Sequence, residues 1–322
     1  MKKLEPLKFN PIFAYRIWAG DQLKTVLQKP YSESKIGESW ELSGVKNQVS
    51  IVSEGCFKGE RLDELIRSYG ADLVGESVYN DFGNEFPILI KFIDAAQDLS
   101  IQVHPGDELA KTRHNSLGKT EMWYVISSED DARLIVGFKE GVTKEHYQKA
   151  LKKECLESLL QYHHIKEGDT FFIPTGTIHA IGAGTLLAEI QQTSDVTYRV
   201  YDFNRIDKDG NKRELNTDLA LEALNYNGVD GFKQSYTTDE NQPNTLVHCP
   251  YFKTNFIPLK GSCELNFSDR SSFTILLSVK GAVEIEVNKK MYVLNFGETI
   301  LIPAQIEQLT LKGTAHLIEV FY

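Results

Sequence analysis

The run Leu99-Ser100-Ile101-Gln102-Val103-His104-Pro105-Gly106 and its continuation Lys119-Thr120-Glu121-Met122-Trp123-Tyr124 hold the key to this chain. In an extended strand alternate side chains share a face, so Ser100, Gln102 and His104 line one side while Ile101 and Val103 turn to a core. Glu121 opens the apolar run Met122-Trp123-Tyr124-Val125-Ile126. His179 follows the turn, strand and second turn of Gly168-Asp169-Thr170-Phe171-Phe172-Ile173-Pro174-Thr175-Gly176. Gln102, His104, Glu121 and His179 thus offer two nitrogen and two oxygen donors to one metal ion. A mixed set without cysteine suits Zn2+, Mn2+, Fe2+ or Co2+, with room left for water or substrate. Polar donors on successive inward-facing strands need a shared partner, because unpaired buried polar groups are costly.

Strands predominate on either side of this stretch. Phe86 to Asp94 is short, β-branched and opened by Pro87, which predicts a buried strand. Leu186 to Ile190 and Val196 to Phe203 are further strands, and alternation in the second places Arg199 on the inner face. Helical spacing from Arg61 (Leu62, Leu65, Ile66, Tyr69) ends at Gly70, and Thr143 to Gln161 predicts one or two amphipathic helices. Asn216 to Leu224 reads as a helix capped by Asn216. The polar segment around His114 and Asn115 reads as a solvated loop, and Trp18 and Trp40 as core or rim aromatics. From about Pro250 the pattern is short strands with tight turns (Phe252 to Ile257, Phe273 to Val279, Ala282 to Val287, Met291 to Leu294, Thr299 to Ile302, Ala315 to Phe321), as in a β-sandwich or barrel.

Gly168-Asp169-Thr170-Phe171-Phe172-Ile173-Pro174 recurs as Gly297-Glu298-Thr299-Ile300-Leu301-Ile302-Pro303, so one architecture is used twice. In that alignment His179 falls opposite Gln308, and the second half has no Gln-x-His pair. Metal binding is therefore expected only in the first half.

The 322 residues carry 35 Lys and Arg against 45 Asp and Glu, a formal charge of -10, which argues against a nucleic-acid or anionic-membrane surface. The start, Met1-Lys2-Lys3-Leu4-Glu5-Pro6, lacks the apolar core of an export signal, and the most apolar stretch is too short to span a bilayer, so a cytoplasmic location is expected. Cys56, Cys155, Cys249 and Cys263 are scattered, as thiols in a reducing compartment would be. In so acidic a chain Ser100, Lys91, Lys119, Arg199 and Arg205 form a candidate anion pocket, arginine being suited to phosphate through two parallel bonds. Lys208, Lys212 and Arg213 are read as a solvated basic loop. The donor set allows enolisation, hydrolysis or oxygen chemistry.

Ser100-Ile101-Gln102-Val103-His104-Pro105, Lys119-Thr120-Glu121-Met122, Ile173-Pro174-Thr175-Gly176-Thr177-Ile178-His179-Ala180 and the segment from Glu189 to Arg199 resemble the type I mannose-6-phosphate isomerase (phosphomannose isomerase) family in its short bacterial form. The resemblance also covers Tyr15 to Gly20 and Glu38 to Ser43. It implies a mainly β protein of two cupin-type (jelly-roll) barrels with inserted helices: a catalytic domain over 1–235 and a metal-free cupin domain over 236–322. It also implies zinc on Gln102, His104, Glu121 and His179, and interconversion of mannose 6-phosphate and fructose 6-phosphate through a cis-enediol(ate). Arg199 matches the family's active-site arginine, and Arg205 falls where many members place a phosphate-binding lysine. Ser100 and Lys91 are further phosphate candidates. Gly118 stands where some members have histidine, which leaves the base open between Glu189, Lys119 and a metal-bound water. An iron cupin oxygenase and a non-catalytic sugar-phosphate-binding cupin are the competing readings.

Overall fold

The computed structural model describes residues 2–207, 209–227 and 231–322. Strands dominate it. In the first half a seven-stranded antiparallel sheet runs, edge to edge, through Ile12–Tyr15, Ile36–Leu42, Ile88–Ala95, Thr185–Gln192, Glu121–Ser128, Thr170–Ile173 and Lys233–Gln234. A five-stranded sheet, in the order Tyr198–Tyr201, Ile101–Val103, His179–Ile181, Arg133–Phe138 and Leu160–His164, lies against it. Alternation explains the contact: Ile93, Trp123, Val125 and Leu187 of the large sheet meet Leu134, Val136 and Ile181 of the small one in a single buried cluster. The architecture is of the expected cupin type, built as opposed sheets rather than closed rings of paired strands.

The large sheet's other face carries Ile90, Phe92, Met122, Tyr124 and Ile190 into a second cluster, shared with Phe252, Phe256, Phe273, Ile275, Ile318 and Val320 of the second half. The helix Leu62–Tyr69, stopped by Gly70 as its spacing predicts, adds Leu62, Leu65 and Ile66 to the same core. One hydrophobic core therefore binds both halves, and the N-terminal segment joins in through paired backbone bonds between Leu7 and Leu301 at 2.8 and 2.9 Å.

The short strands expected after Pro250 are partly fused. Lys253–Asn266, Thr274–Val287 and Gln308–Phe321 are each 14 residues long. Gly261, Gly281 and Gly313 lie close together across these strands at φ +91°, +73° and +142°, values that suit glycine, and there the strands bend instead of turning back. Each strand then feeds both its ends, such as Ile257 with Leu265 and Leu276 with Ile285, into one cluster.

The repeated heptapeptide forms the same turn twice. Gly168 donates its N–H to the Val125 carbonyl at 2.9 Å and Val125 donates to Asp169 at 2.9 Å; Gly297 and Ser278 exchange the equivalent bonds with Ser278 and Glu298 at 2.9 and 3.0 Å. Both glycines have φ near +80°, at +86° and +79°. Register then places Thr274, opposite Ile302, where Glu121 stands opposite Ile173.

Other expectations need correction. The helix in the 143–161 region is Lys144–Lys152, followed by one tight turn and then a strand from Leu160. Asn216 precedes the helix Thr217–Ala223 without capping it; its Oδ1 instead accepts the Arg199 N–H at 3.1 Å. His114 ends an unexpected helix, Asp107–His114, with its Nε2 2.8 Å from the Tyr198 hydroxyl. That helix has little apolar periodicity to betray it.

Candidate active site and metal centre

Two transverse rows of side chains, one on each sheet of the first half, run along a cavity of about 540 Å³, which all of their members except His179 and Trp123 line. On the small sheet Arg199, Gln102 and His179 lie side by side on three adjacent strands, because Gln102 is in register with both neighbours. On the large sheet Trp40, Lys91, Glu189 and Trp123 form a row across four strands. Two residues from Trp123 on the same strand face, Glu121 meets the histidines.

His104, Glu121 and His179 bring their ligating atoms within 4.8 Å of one another, and all three are buried. Each imidazole has its Nδ1 beside a carbonyl, His104 at 3.0 Å from Val196 and His179 at 2.9 Å from Thr177, which fixes the N–H there and leaves Nε2 as a free lone pair. Those Nε2 atoms lie 3.5 and 3.4 Å from the Glu121 carboxylate. Burial pushes His104 well below the usual histidine range and His179 down to about 4, so both rings are neutral at pH 7. Neither Glu121 oxygen accepts an aligned hydrogen bond, although both are fully buried. Two neutral imidazoles meeting a buried carboxylate that has no aligned hydrogen bond and a single ammonium, that of Lys119, beside it fit a divalent cation, which would engage all three at once. The Gln102 amide lies 3.3 Å from His179 Nε2, and a half-turn of that amide would bring its oxygen to the same place.

Two ammonium groups stand beside this centre. Lys119 Nζ is 3.1 Å from His104 Nε2, 3.1 Å from Glu121 and 4.0 Å from Glu189. Lys91 donates to Glu189 at 2.9 Å, and Trp123 Nε1 binds the other Glu189 oxygen at 3.0 Å. Burial alone would raise the Glu189 pKa, but Lys91 and Lys119 outweigh it and hold the carboxyl below its ordinary range. Burial likewise opposes the Lys119 charge, and the Glu121 and Glu189 carboxylates more than restore it.

At the mouth, Arg199 donates to Ser100 Oγ at 3.3 Å and to the Glu214 carbonyl at 3.0 Å. Ser100, Arg199, Lys91, Lys119, Gln102 and Glu189 all line the cavity. Arg205 does not line it: its guanidinium is bound to Asp202 and to the Asp98 carbonyl. Arg213, read from the sequence as solvated, is instead mostly buried against Asp202 and lines the cavity. Lys212 is exposed and bonded to Asn204, and Lys208 lies outside the described residues.

Glu38, Trp18 and Trp40 are among the lining residues that the sequence does not single out as site groups. Glu38 is paired with Arg16 at 2.7 Å and receives the Trp40 indole N–H at 2.8 Å; burial opposes its charge, but Arg16 and Lys91 lower the pKa to about 2. The available signal was the alternation of Glu38 and Trp40 on one strand face. Trp18 and Trp40 are buried as expected, and both line the cavity.

A cupin-type sandwich whose inner faces carry two histidines, a carboxylate and paired lysines is a metalloenzyme scaffold. Residues 8–126 match the family described as phosphomannose isomerase type I, catalytic domain, and residues 242–322 match the mannose-6-phosphate isomerase cupin domain. The chain is 36% identical over 320 residues to mannose-6-phosphate isomerase ManA of Bacillus subtilis, covering 98% of each, and 33% identical over 315 residues to mannose-6-phosphate isomerase of Streptococcus mutans, covering 98% of this chain and 97% of that one. It superposes on the crystal structure of the mannose 6-phosphate isomerase from Bacillus subtilis with a TM-score of 0.89 at 32% identity, covering 98% of this chain and 99% of that one. The chain belongs to the type I mannose-6-phosphate isomerase family and is an enzyme of the isomerase class. No helix among the described residues is long and apolar enough to cross a membrane.

Proposed function

We propose that this protein interconverts mannose 6-phosphate and fructose 6-phosphate, with one Zn2+ held by Gln102, His104, Glu121 and His179. The observation that carries the reading is the meeting of His104, Glu121 and His179 within 4.8 Å directly behind Gln102 and Lys119, which line the cavity together with Arg199 and Ser100. A volume of about 540 Å³ suits a hexose phosphate. When bound, the ion supplies a positive centre that polarises the sugar carbonyl and stabilises charge developing on its oxygen.

The chain's own groups do the rest. Arg199 and Ser100 hold the phosphate at the mouth, with Lys91 adding positive potential deeper in. Arg205, committed to Asp202, serves the cavity wall rather than the phosphate. Interconversion moves one proton between C1 and C2 of the opened sugar through a cis-enediol(ate). Glu189 is held ionised by Lys91 and Lys119 and is the better acceptor for that proton, while Lys119 stays protonated and donates to a neighbouring hydroxyl. Trp18, Trp40 and Trp123 wall this chemistry from water.

The reading divides the chain into a catalytic domain over 1–235 and a metal-free cupin domain over 236–322, and Thr274 at the position of Glu121 supports a second half without a metal. A reducing, cytoplasmic setting agrees with four unpaired cysteines. The test is metal analysis of the purified protein with a coupled assay on mannose 6-phosphate. Chelation should abolish turnover and added Zn2+ restore it; undiminished activity after verified metal removal refutes the metal role.

A further inference from the structure

Lys119 is useful only if its backbone is fixed, since a flexible four-carbon stem carries its ammonium to the reacting sugar. It sits just before a strand, where the main chain offers only a long 3.4 Å bond from the Lys119 N–H to the Pro105 carbonyl and one at 3.1 Å from the Gln192 N–H to the Thr120 carbonyl. Side chains supply the missing bonds on both sides. Asp107 Oδ1 accepts the Gly118 N–H at 2.8 Å, and Gln192 Oε1 accepts the Thr120 N–H at 2.8 Å. The same Asp107 oxygen also accepts from Gln192 Nε2 at 3.0 Å, so one carboxylate ties the two clamps together. Its other oxygen accepts from the hydroxyl of Tyr251 at 2.7 Å, a residue from the second half of the chain. The fit is tight: a Cβ on Gly118 would stand 2.8 Å from the Asp107 nitrogen and 2.9 Å from Oδ1. The Asp107 carboxylate also pushes the Tyr251 phenol up to about 12, so the hydroxyl remains a donor at working pH.

We infer that Asp107 and Tyr251 are positioning residues, which clamp the backbone on both sides of Lys119 and give the second half of the chain a share in the active site. The inference rests on the reading that Lys119 acts on the substrate. Asp107 belongs neither to the metal-ligand triad nor to the cavity lining, and its three partners, Gly118, Gln192 and Tyr251, account for its carboxylate without any further role.

The test uses the full-length, metal-loaded protein and the substitutions Tyr251→Phe, Asp107→Ala and Asp107→Asn. Hydrogen exchange of the segment 116–121 is followed alongside steady-state kinetics on mannose 6-phosphate. Tyr251→Phe removes one hydroxyl and should speed exchange at Gly118 and Thr120 and lower kcat by roughly tenfold, with KM and metal content nearly unchanged. Asp107→Ala should do the same more strongly, and Asp107→Asn, which keeps an oxygen for Gly118, should recover most of the loss. Exchange or kcat unaltered in Tyr251→Phe overturns the inference, as does a KM change with constant kcat. Faster exchange in a protein whose parent turns over no mannose 6-phosphate leaves the clamp standing and removes the isomerase reading instead.

Discussion

Arg199 reaches the cavity because its strand alternates Tyr198 and Val200 inward to a core and Arg199 to the opposite face, while Asn216 holds its backbone at both N–H and C=O. Arg199→Ala should raise KM for mannose 6-phosphate by roughly ten- to a hundredfold, as expected for losing a charge-assisted contact of about 1.5–3 kcal/mol. Metal content should stay normal, and loss of metal in that variant would make the residue structural. Asp94 gives a different residue-scale prediction. It is fully buried, accepts the Gln22 N–H at 2.7 Å and leaves Oδ1 unpartnered, and burial raises its pKa to about 6. Folding therefore takes up a proton between the unfolded value near 4 and about 6, so this group's contribution is full below about 4 and is lost as pH rises through 6. The loss is at most about 3 kcal/mol. Asp94→Asn should remove that slope from thermal melts recorded between pH 4 and 7; an unchanged slope assigns it elsewhere.

Secondary elements reveal themselves in sequence to the degree that one face is apolar. The strand Ile101–Val103, with His104 just past its end, and the helix from Leu62 were legible for that reason, and so was the duplicated glycine turn, whose hydrogen bonds depend on a local motif. The helix Asp107–His114 was not, since its ends are held by Asp107, by Arg113 with Glu222 and by His114 with Tyr198, all distant in sequence. Long strands were cut at their glycines for a related reason: Lys280-Gly281 reads as a turn, and only strand pairing makes it a bend. Gly281→Ala should cost about 2 kcal/mol or more in urea denaturation, because its φ is +73° and a Cβ there would meet the Thr314 carbonyl at 2.4 Å. A stability equal to that of the parent would show that the bend relaxes freely.

At the scale of the molecule, the shared core of Phe92, Tyr124 and Ile190 with Phe252, Phe273 and Ile318 makes the two halves mutually dependent. Trp18, Trp40 and Trp123 all lie in the first half, so tryptophan fluorescence reports that half while far-UV circular dichroism reports strands of both. The two signals should follow one coincident urea transition, and Phe273→Ala should shift both together by about 3–5 kcal/mol. Separate midpoints would mean that each half is stable alone. The sequence by itself determined the alternating strand faces, the repeated turn and the inward donors, because side-chain periodicity and glycine chemistry are local. Tertiary structure alone decided which distant cations line the cavity, Arg213 and not Arg205, and brought Tyr251 against Asp107. Loop paths and the packing of one sheet on another set those distances, and no short stretch of chain encodes either.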